Sequence, residues 1–148
     1  MMRVLERFRY QFDRFSRRTD FGWCKRNYVE PIDRSLTERV NSKLSDYDED
    51  RYYAVNIRNS ETIEVRLWRG TLNYETFMAT LQMTAGLAMV CKHNSETCLE
   101  NITWYDLCEA ISEAAKEMIG REAVELGNYL SRRGLNNVEY DENMEEVA

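Results

Sequence analysis

The sequence contains little proline and no cysteine pair, and these absences limit the class of protein. Pro31 is the single proline, and the chain is 43% hydrophobic and 31% charged, which is typical of a folded, helix-rich globular protein. The four cysteines include no C-x-x-C pair, and the first residues form no apolar signal-peptide segment. We therefore expect reduced thiols and a cytoplasmic protein.

Long apolar runs are also missing. The most apolar stretch, residues 83–91, is short and leads into Lys92, whereas a membrane span needs about 18 or more apolar residues. We expect no integral membrane segment. At 148 residues the chain is long enough for one domain with its own core, which we place at residues 1–137, followed by a disordered acidic tail at 138–148.

Histidine is nearly absent, which argues against metal or nucleophilic chemistry based on it. The only histidine, His93, lies near Cys91, Cys98 and Cys108, but these spacings match no common zinc finger. Cys91 and Cys108 fall on apolar helix faces and are expected to be buried, inert thiols. A Cys91–His93 pair would not face one another on a helix.

Charge is unevenly distributed along the chain. Residues 1–39 carry ten Arg and Lys against six Asp and Glu, whereas residues 138–148 carry five acids and no base. The basic charge of residues 1–39 is compatible with nucleic-acid or phosphate contact. The preferred interpretation is a helix with an arginine-rich face in solvent. Arg17 and Arg18 similarly suit either a phosphate or the C-terminal end of a helix dipole.

Hydrophobic periodicity predicts four or five helices. The first carries an aromatic stripe, and Ser35-Leu36-Thr37-Glu38 is a capping box that opens a short second helix. A long, central helix follows Thr71 and ends near Lys92, and residues 93–102 are a predicted loop. Thr103 caps a helix that ends at Gly120, and a last helix covers about residues 122–133. The predicted buried stripes are Leu5, Phe8, Phe12 and Phe15 for the first helix and Phe77, Leu81, Ala85 and Ala88 for the long one, widened by Met78, Thr84 and Leu87.

Between the helices the period changes to two, which predicts an antiparallel β-hairpin of residues 52–58 and 62–69. A three-residue loop pairs Val55 with Val65, whereas a two-residue loop would mix apolar and charged faces. The fold class is therefore α+β. In this register one face carries Asn56, Arg58, Glu64 and Arg66, and the other, buried face carries Val55, Ile57, Ile63 and Leu67.

The polar face and the following junction form the strongest candidate site. Glu64 offers a hard oxygen for Mg²⁺, and Arg66 suits an acidic group or a phosphoryl group. Arg69, Gly70 and Thr71 lie where a strand meets a helix N-terminus, which favours phosphate or carboxylate binding. The alternative is that Glu64 and Arg66 are the exposed side of an amphipathic hairpin. Trp68 beside them fits packing better than stacking on a base.

The middle of the chain resembles the C-terminal core of the amidoligase family of phages and bacteria. The resemblance is carried by RYYAVNIRNS at residues 51–60, TIEVRLWRGTLNYETF at 62–77 and ATLQ at 79–82, in which Glu64, Arg66, Arg69 and Gly70 match an E-x-R-x-x-R-G stretch. Weaker matches are FSRR at 15–18 and NYLSRRGL at 128–135.

The resemblance implies ATP- and Mg²⁺-dependent joining of a small-molecule or peptide carboxylate to an amine on a glutamine-synthetase-like antiparallel sheet. With the resemblance added to the argument from the residues, we assign Glu64 to catalysis and metal binding, Arg66 to catalysis, and Arg69, Gly70, Thr71 and Asn56 to cofactor binding. The family's N-terminal paired glutamates and histidine-rich strand are absent here. We therefore expect an incomplete enzyme whose missing half is supplied by a missing segment or by a second chain. The alternative is a non-catalytic module for protein or nucleic-acid contact, with nucleic acid the less favoured. A third possibility is an incomplete gene product without an independent function.

Overall fold

A computed structural model of the chain describes residues 1–18, 54–56 and 61–136. The chain divides into two compact units, residues 2–69 and residues 70–148 with Met1. The predicted second helix at residues 35–44 and the acidic tail lie outside the described residues. The single domain expected for residues 1–137 stays a prediction.

The N-terminal segment forms two helices instead of one. Helix α1 covers Met2–Arg7 and helix α2 covers Arg9–Ser16. They are separated at Phe8, whose backbone angles (φ -106, ψ 38) are not helical. The predicted stripe is nevertheless confirmed, because Leu5, Phe8, Phe12 and Phe15 are all buried.

A short hairpin completes the described part of the first unit. Strand β1 is Val55–Asn56 and strand β2 is Glu64–Val65, paired antiparallel with Val55 opposite Val65 and Asn56 opposite Glu64. The predicted register is therefore confirmed, and the Arg66 N–H extends it by donating to the Ala54 carbonyl at 2.7 Å. Residues 57–60, with the loop, Ile57 and Arg58, lie outside the described residues.

The hairpin also corrects one predicted core position. Val55 and Leu67 are buried as expected, but Ile63 is 60% exposed. The second strand begins only at Glu64 and covers two residues, not the predicted 62–69. Ile63 therefore precedes the paired segment, and alternation with its neighbours does not place it on the buried face.

The second unit consists of helices. Helix α3 covers Tyr74–His93, α4 covers Glu96–Asn101, α5 covers Trp104–Ile119 and α6 covers Val124–Arg132. The α+β class is confirmed, whereas the loop predicted at residues 93–102 is wrong because it contains α4. The Ser95 hydroxyl accepts from the Cys98 N–H and caps that short helix. None of the described helices has the length and apolarity required to cross a membrane.

Side chains and glycines set the helix boundaries. Asn73 and Thr103 cap α3 and α5 by accepting from the N–H groups of Thr76 and Asp106. Gly120 ends α5 in the left-handed conformation with φ 70. After α6, Gly134 also has positive φ, and the Leu135 N–H donates to the Leu130 carbonyl in a Schellman arrangement. The predicted cap at Thr103 and stops at Gly120 and Gly134 are confirmed.

Helix α3 buries the side opposite the centre of the predicted stripe, although Leu87, predicted at the margin of that stripe, is buried as expected. Phe77 and Leu81 are 49% and 47% exposed, and Ala88 is exposed as well. The face in the core carries Thr76, Ala79, Gln82, Met83, Gly86, Leu87 and Val90. The prediction was wrong because both faces of α3 are apolar, so that periodicity alone does not select one of them.

Gly86 explains which face is buried. A Cβ built at this position would lie 2.1 Å from the backbone oxygen of Ile111 on α5. The backbones of α3 and α5 approach so closely only because Gly86 has no side chain. Helix α5 is fully buried at Leu107, Ile111 and Ala115. At its first residue, the Trp104 indole donates to the Leu135 carbonyl at 2.8 Å.

A buried glutamine joins α3 to α6. The Gln82 side chain is 1% exposed, and its amide oxygen accepts from the Leu126 N–H at 2.8 Å. Its amide nitrogen donates to Glu125 Oε2 at 2.7 Å. Arg121 also donates twice to the Glu125 carboxylate, at 2.8 and 3.0 Å. The bond from Gln82 provides an acceptor for the Leu126 N–H in the first turn of α6. Together these bonds fix the position of α6 against α3.

We expect opposite effects of the same substitution at two helical glycines. Gly86→Ala should lower the free energy of unfolding by about 1–3 kcal/mol, because the new methyl group overlaps the Ile111 carbonyl. Gly127→Ala on α6, where a Cβ meets nothing within 4 Å, should raise it by about 0.5–1 kcal/mol. Urea unfolding of both variants measures the difference. Equal effects would contradict the close approach at Gly86.

Glu125 should make the stability depend on pH. The hydrogen bonds from Arg121 and then from Gln82 lower its pKa from the ordinary 4.5 to about 2. A carboxylate with a lowered pKa stabilises the fold above the unfolded value, and this contribution is lost as the pH falls from about 4.5 to about 2.

Thermal unfolding measured between pH 7 and pH 2 checks this dependence. Glu125→Gln should lower Tm at pH 7. Below pH 4.5, the Tm of this variant should fall less than the Tm of the unsubstituted chain. Glu117→Gln, at an exposed position on α5, is the matched control and should behave like the unsubstituted chain. Identical acid profiles for Glu125→Gln and the unsubstituted chain would count against this role of Glu125.

Candidate functional site

The hairpin brings three of the predicted site residues together. Arg66 Nε lies 2.7 Å from Glu64 Oε1, and Arg66 Nη2 donates to Glu64 Oε2 at 2.8 Å. Asn56 Nδ2 donates to the same Oε2 at 3.0 Å. This arrangement follows from the register, because Asn56 is directly opposite Glu64 and Arg66 is two residues along the same face.

The pair is accessible from one side. The Glu64 side chain is 53% exposed and the Arg66 side chain is 24% exposed. The negative charge of Glu64 and the positive charge of Arg66 neutralise each other. A cation or an anion that binds here therefore has to compete with the existing ion pair. A ligand that separates Glu64 from Arg66 has to offer a positive group to the carboxylate and a negative group to the guanidinium.

Arg66 is held through its backbone as well as through Glu64. Its N–H donates to the Ala54 carbonyl at 2.7 Å, and its carbonyl accepts from Arg18 Nη1 at 2.9 Å. Arg18 follows α2, so this bond connects the end of the basic helix to the sheet. Sequence reasoning assigned Arg18 to a helix dipole or a phosphate and did not find this bond, since no local pattern joins residues 48 positions apart.

The aromatic stripe of α2 supports the same segment. The Trp68 ring lies 5.4 Å from Phe15 in an edge-to-face geometry and 6.4 Å from Phe12, measured between centroids. Trp68 therefore packs in the first unit, in agreement with the preferred interpretation. Leu67, between Arg66 and Trp68, is 1% exposed.

The predicted phosphate-binding junction is divided between the two units. Arg69 ends the first unit and is exposed, whereas Gly70 and Thr71 begin the second. Helix α3 begins at Tyr74, three residues after Thr71, and Asn73 already caps it. The Thr71 hydroxyl accepts from the Asn73 N–H at 3.1 Å. A Cβ at Gly70 would meet nothing within 4 Å, so the space beside this backbone is open.

Three cysteines lie within the described residues, and they differ in their burial. Burial raises the pKa of the Cys108 thiol to about 12, so it stays protonated at neutral pH. Cys91 is half-buried and Cys98 is exposed, and each is a free thiol. Within residues 1–18, 54–56 and 61–136, no three His, Cys, Asp or Glu side chains lie together in a way that would hold a metal ion. Glu64 therefore offers one ligand of any metal site.

Comparison of the chain with protein-family models, with curated proteins and with solved structures gave no match.

We expect Glu64→Gln to leave the fold intact. An exposed ion pair contributes about 0–1 kcal/mol, and the Arg66 backbone keeps its two hydrogen bonds when the Glu64 charge is removed. Urea unfolding should therefore change by less than about 1 kcal/mol. Leu67→Ala, which leaves a cavity beside the same strand, should lower stability by about 2–5 kcal/mol. A comparable loss in both variants would show that the ion pair is structural.

Proposed function

We propose that this chain carries part of the site of an ATP-dependent carboxylate–amine ligase of the amidoligase type. The observation that supports the proposal is the Asn56–Glu64–Arg66 group on an accessible sheet face. It combines an oriented carboxylate with a guanidinium at the two charged positions of the E-x-R-x-x-R-G stretch. The chain by itself is an incomplete enzyme, and the rest of the site comes from another polypeptide or segment.

Because Glu64 and Arg66 are paired with each other, the site favours a ligand that carries both a positive and a negative group. Mg²⁺ prefers carboxylate oxygens, and a guanidinium matches two phosphate oxygens. A Mg²⁺–nucleotide complex therefore replaces both partners at once, with the metal on Glu64 and a phosphate on Arg66. Mg²⁺ alone or ATP alone would make only one of these two charge-assisted contacts, whereas the complex would make both.

The fixed backbone suits Arg66 to this exchange. The bonds to Ala54 and Arg18 hold its main chain, and neither of them involves the Arg66 side chain. Asn56 keeps one hydrogen bond to Glu64 Oε2 and limits the rotation of the carboxylate. The residues present thus fit one half of a Mg²⁺–ATP site, and bound ATP would supply the phosphoryl group that activates the carboxylate substrate.

Arg69, Gly70 and Thr71 have a secondary role in this proposal. The exposed guanidinium of Arg69 would bind a further phosphate oxygen or the substrate carboxylate. Gly70 and Thr71 remain predicted cofactor-binding residues. Further metal ligands would come from another polypeptide or segment.

Isothermal titration calorimetry of the purified chain tests the proposal. Mg²⁺–ATP should bind with saturation, whereas Mg²⁺ alone and ATP in EDTA should bind at least about tenfold more weakly, because each makes only one of the two charge-assisted contacts. Glu64→Gln and Arg66→Lys should each weaken Mg²⁺–ATP binding by about tenfold or more, since one removes the metal ligand and the other the bidentate contact.

The matched control is Arg17→Asn, which removes a positive charge from the basic helix end and suits the left-handed backbone at that position (φ 55). It should leave Mg²⁺–ATP binding unchanged. Salt-sensitive binding of DNA or RNA that is lost in Arg17→Asn but kept in Glu64→Gln would instead support the nucleic-acid module. Absence of Mg²⁺–ATP binding, or binding that Glu64→Gln does not alter, would contradict the ligase proposal.

A further inference from the structure

Helix α3 has a second apolar face, which lies opposite its buried one. Six residues spaced by 4, 3, 4, 3 and 4 form this face, and the name "seam" is used for them here: Tyr74, Met78, Leu81, Ala85, Ala88 and Lys92. Such alternating spacing is the heptad pattern by which one helix packs along another. The core face of α3, by contrast, is centred on Met83 and Gly86.

The seam is accessible along the helix. Tyr74 is 64% exposed and Leu81 is 47% exposed, Ala88 and Lys92 are also exposed, and Met78 and Ala85 are half-buried. Phe77, beside the seam, is 49% exposed. A helix with apolar residues on both sides is typical of one that is packed on both sides. A 20-residue helix is about 30 Å long and about 10 Å wide, so this face covers about 300 Å².

Side-chain size is segregated along the seam. The N-terminal half carries the large residues Tyr74, Met78 and Leu81, whereas the apolar positions of the C-terminal half are Ala85 and Ala88. Parallel pairing of two identical seams would place large residues on large ones and leave a gap between the alanines. Antiparallel pairing places each large residue on a small one.

We infer that α3 binds the α3 helix of a second copy of this chain in an antiparallel, two-fold arrangement. With the two-fold axis at the level of Met83, Leu81 of one copy faces Ala85 of the other and Met78 faces Ala88. Tyr74 then faces Lys92, where an ammonium group over an aromatic ring is favourable. The inference does not depend on the proposed ligase activity.

Charge and hydrogen bonding agree with this partner. The seam contains no charge before Lys92, and antiparallel helices bring the partial positive end of each dipole beside the partial negative end of the other. The flanking hydroxyls of Thr80 and Thr84 donate to the carbonyls of Thr76 and Thr80, both at 2.8 Å. Covering them therefore leaves no unsatisfied hydroxyl donor.

Sedimentation equilibrium of the full chain over a range of concentrations tests the pairing. Because the face is small for a protein interface, we expect a monomer–dimer equilibrium in about the micromolar range. Ala88→Glu and Met78→Lys should each weaken dimerisation by about tenfold or more, since each buries a charge in the seam. Tyr105→Glu, which replaces an exposed aromatic residue on α5, is the control and should dimerise normally.

The double variant Met78→Lys, Ala88→Glu establishes the direction. Antiparallel helices place each new lysine on a new glutamate of the partner, so dimerisation should recover by about tenfold relative to either single variant. Parallel helices would place like charges together and weaken it further.

Three results would overturn the inference. A chain that is monomeric at about 200 μM, well above the expected micromolar range, has no such interface. A dimer that Ala88→Glu does not weaken uses another surface. A monomer whose Tm falls strongly with Ala88→Glu but not with Tyr105→Glu has this face covered within its own chain.

Discussion

The close backbone contact between Gly86 of α3 and Ile111 of α5 is the constraint on which the second unit depends. Helix α3 is apolar on both sides, so hydrophobic burial alone allows either side to face the core. Only the side without a side chain at position 86 lets α5 approach, and this contact places Met83, Leu87 and Val90 inside. The buried glutamine, Gln82, lies on the same side and fixes the start of α6. The exposed seam is the direct consequence, because the choice of one apolar face leaves the other outside.

In the hairpin, too, the backbone arrangement decides which side chains meet. The pairing of Val55 with Val65 sets Asn56 opposite Glu64 and puts Arg66 on the same face. The Arg66 main chain is then held from two directions, by Ala54 and by Arg18. These two backbone bonds do not involve the Arg66 side chain, so they hold the strand whichever group that side chain contacts. For this reason a surface ion pair, which adds little stability, suits a binding role better than a structural one.

The ion pair on this sheet face also bears on the proposed function. Glu64 already has a guanidinium partner, so a metal ion would compete with Arg66 for the carboxylate. Trp68 packs on Phe12 and Phe15 and so supports the segment that carries Arg66. The N-terminal aromatic stripe therefore has a packing role beside the polar face.

The sequence by itself determined the features that depend on neighbours along the chain or on a simple alternation. These are the α+β class, the hairpin register, the caps at Thr103, Gly120 and Gly134, and the buried stripe of the first helix. The sequence reasoning missed α4, although the Ser95 cap is local, and it misplaced Ile63, which precedes the paired strand. Only the tertiary structure decided which side of α3 is buried and that Arg18 reaches the Arg66 carbonyl. The physical reason is the same in each case. Local patterns report which residues prefer burial or a cap, whereas the choice between two equally apolar faces, or a bond across 48 residues, is made by the element that packs there.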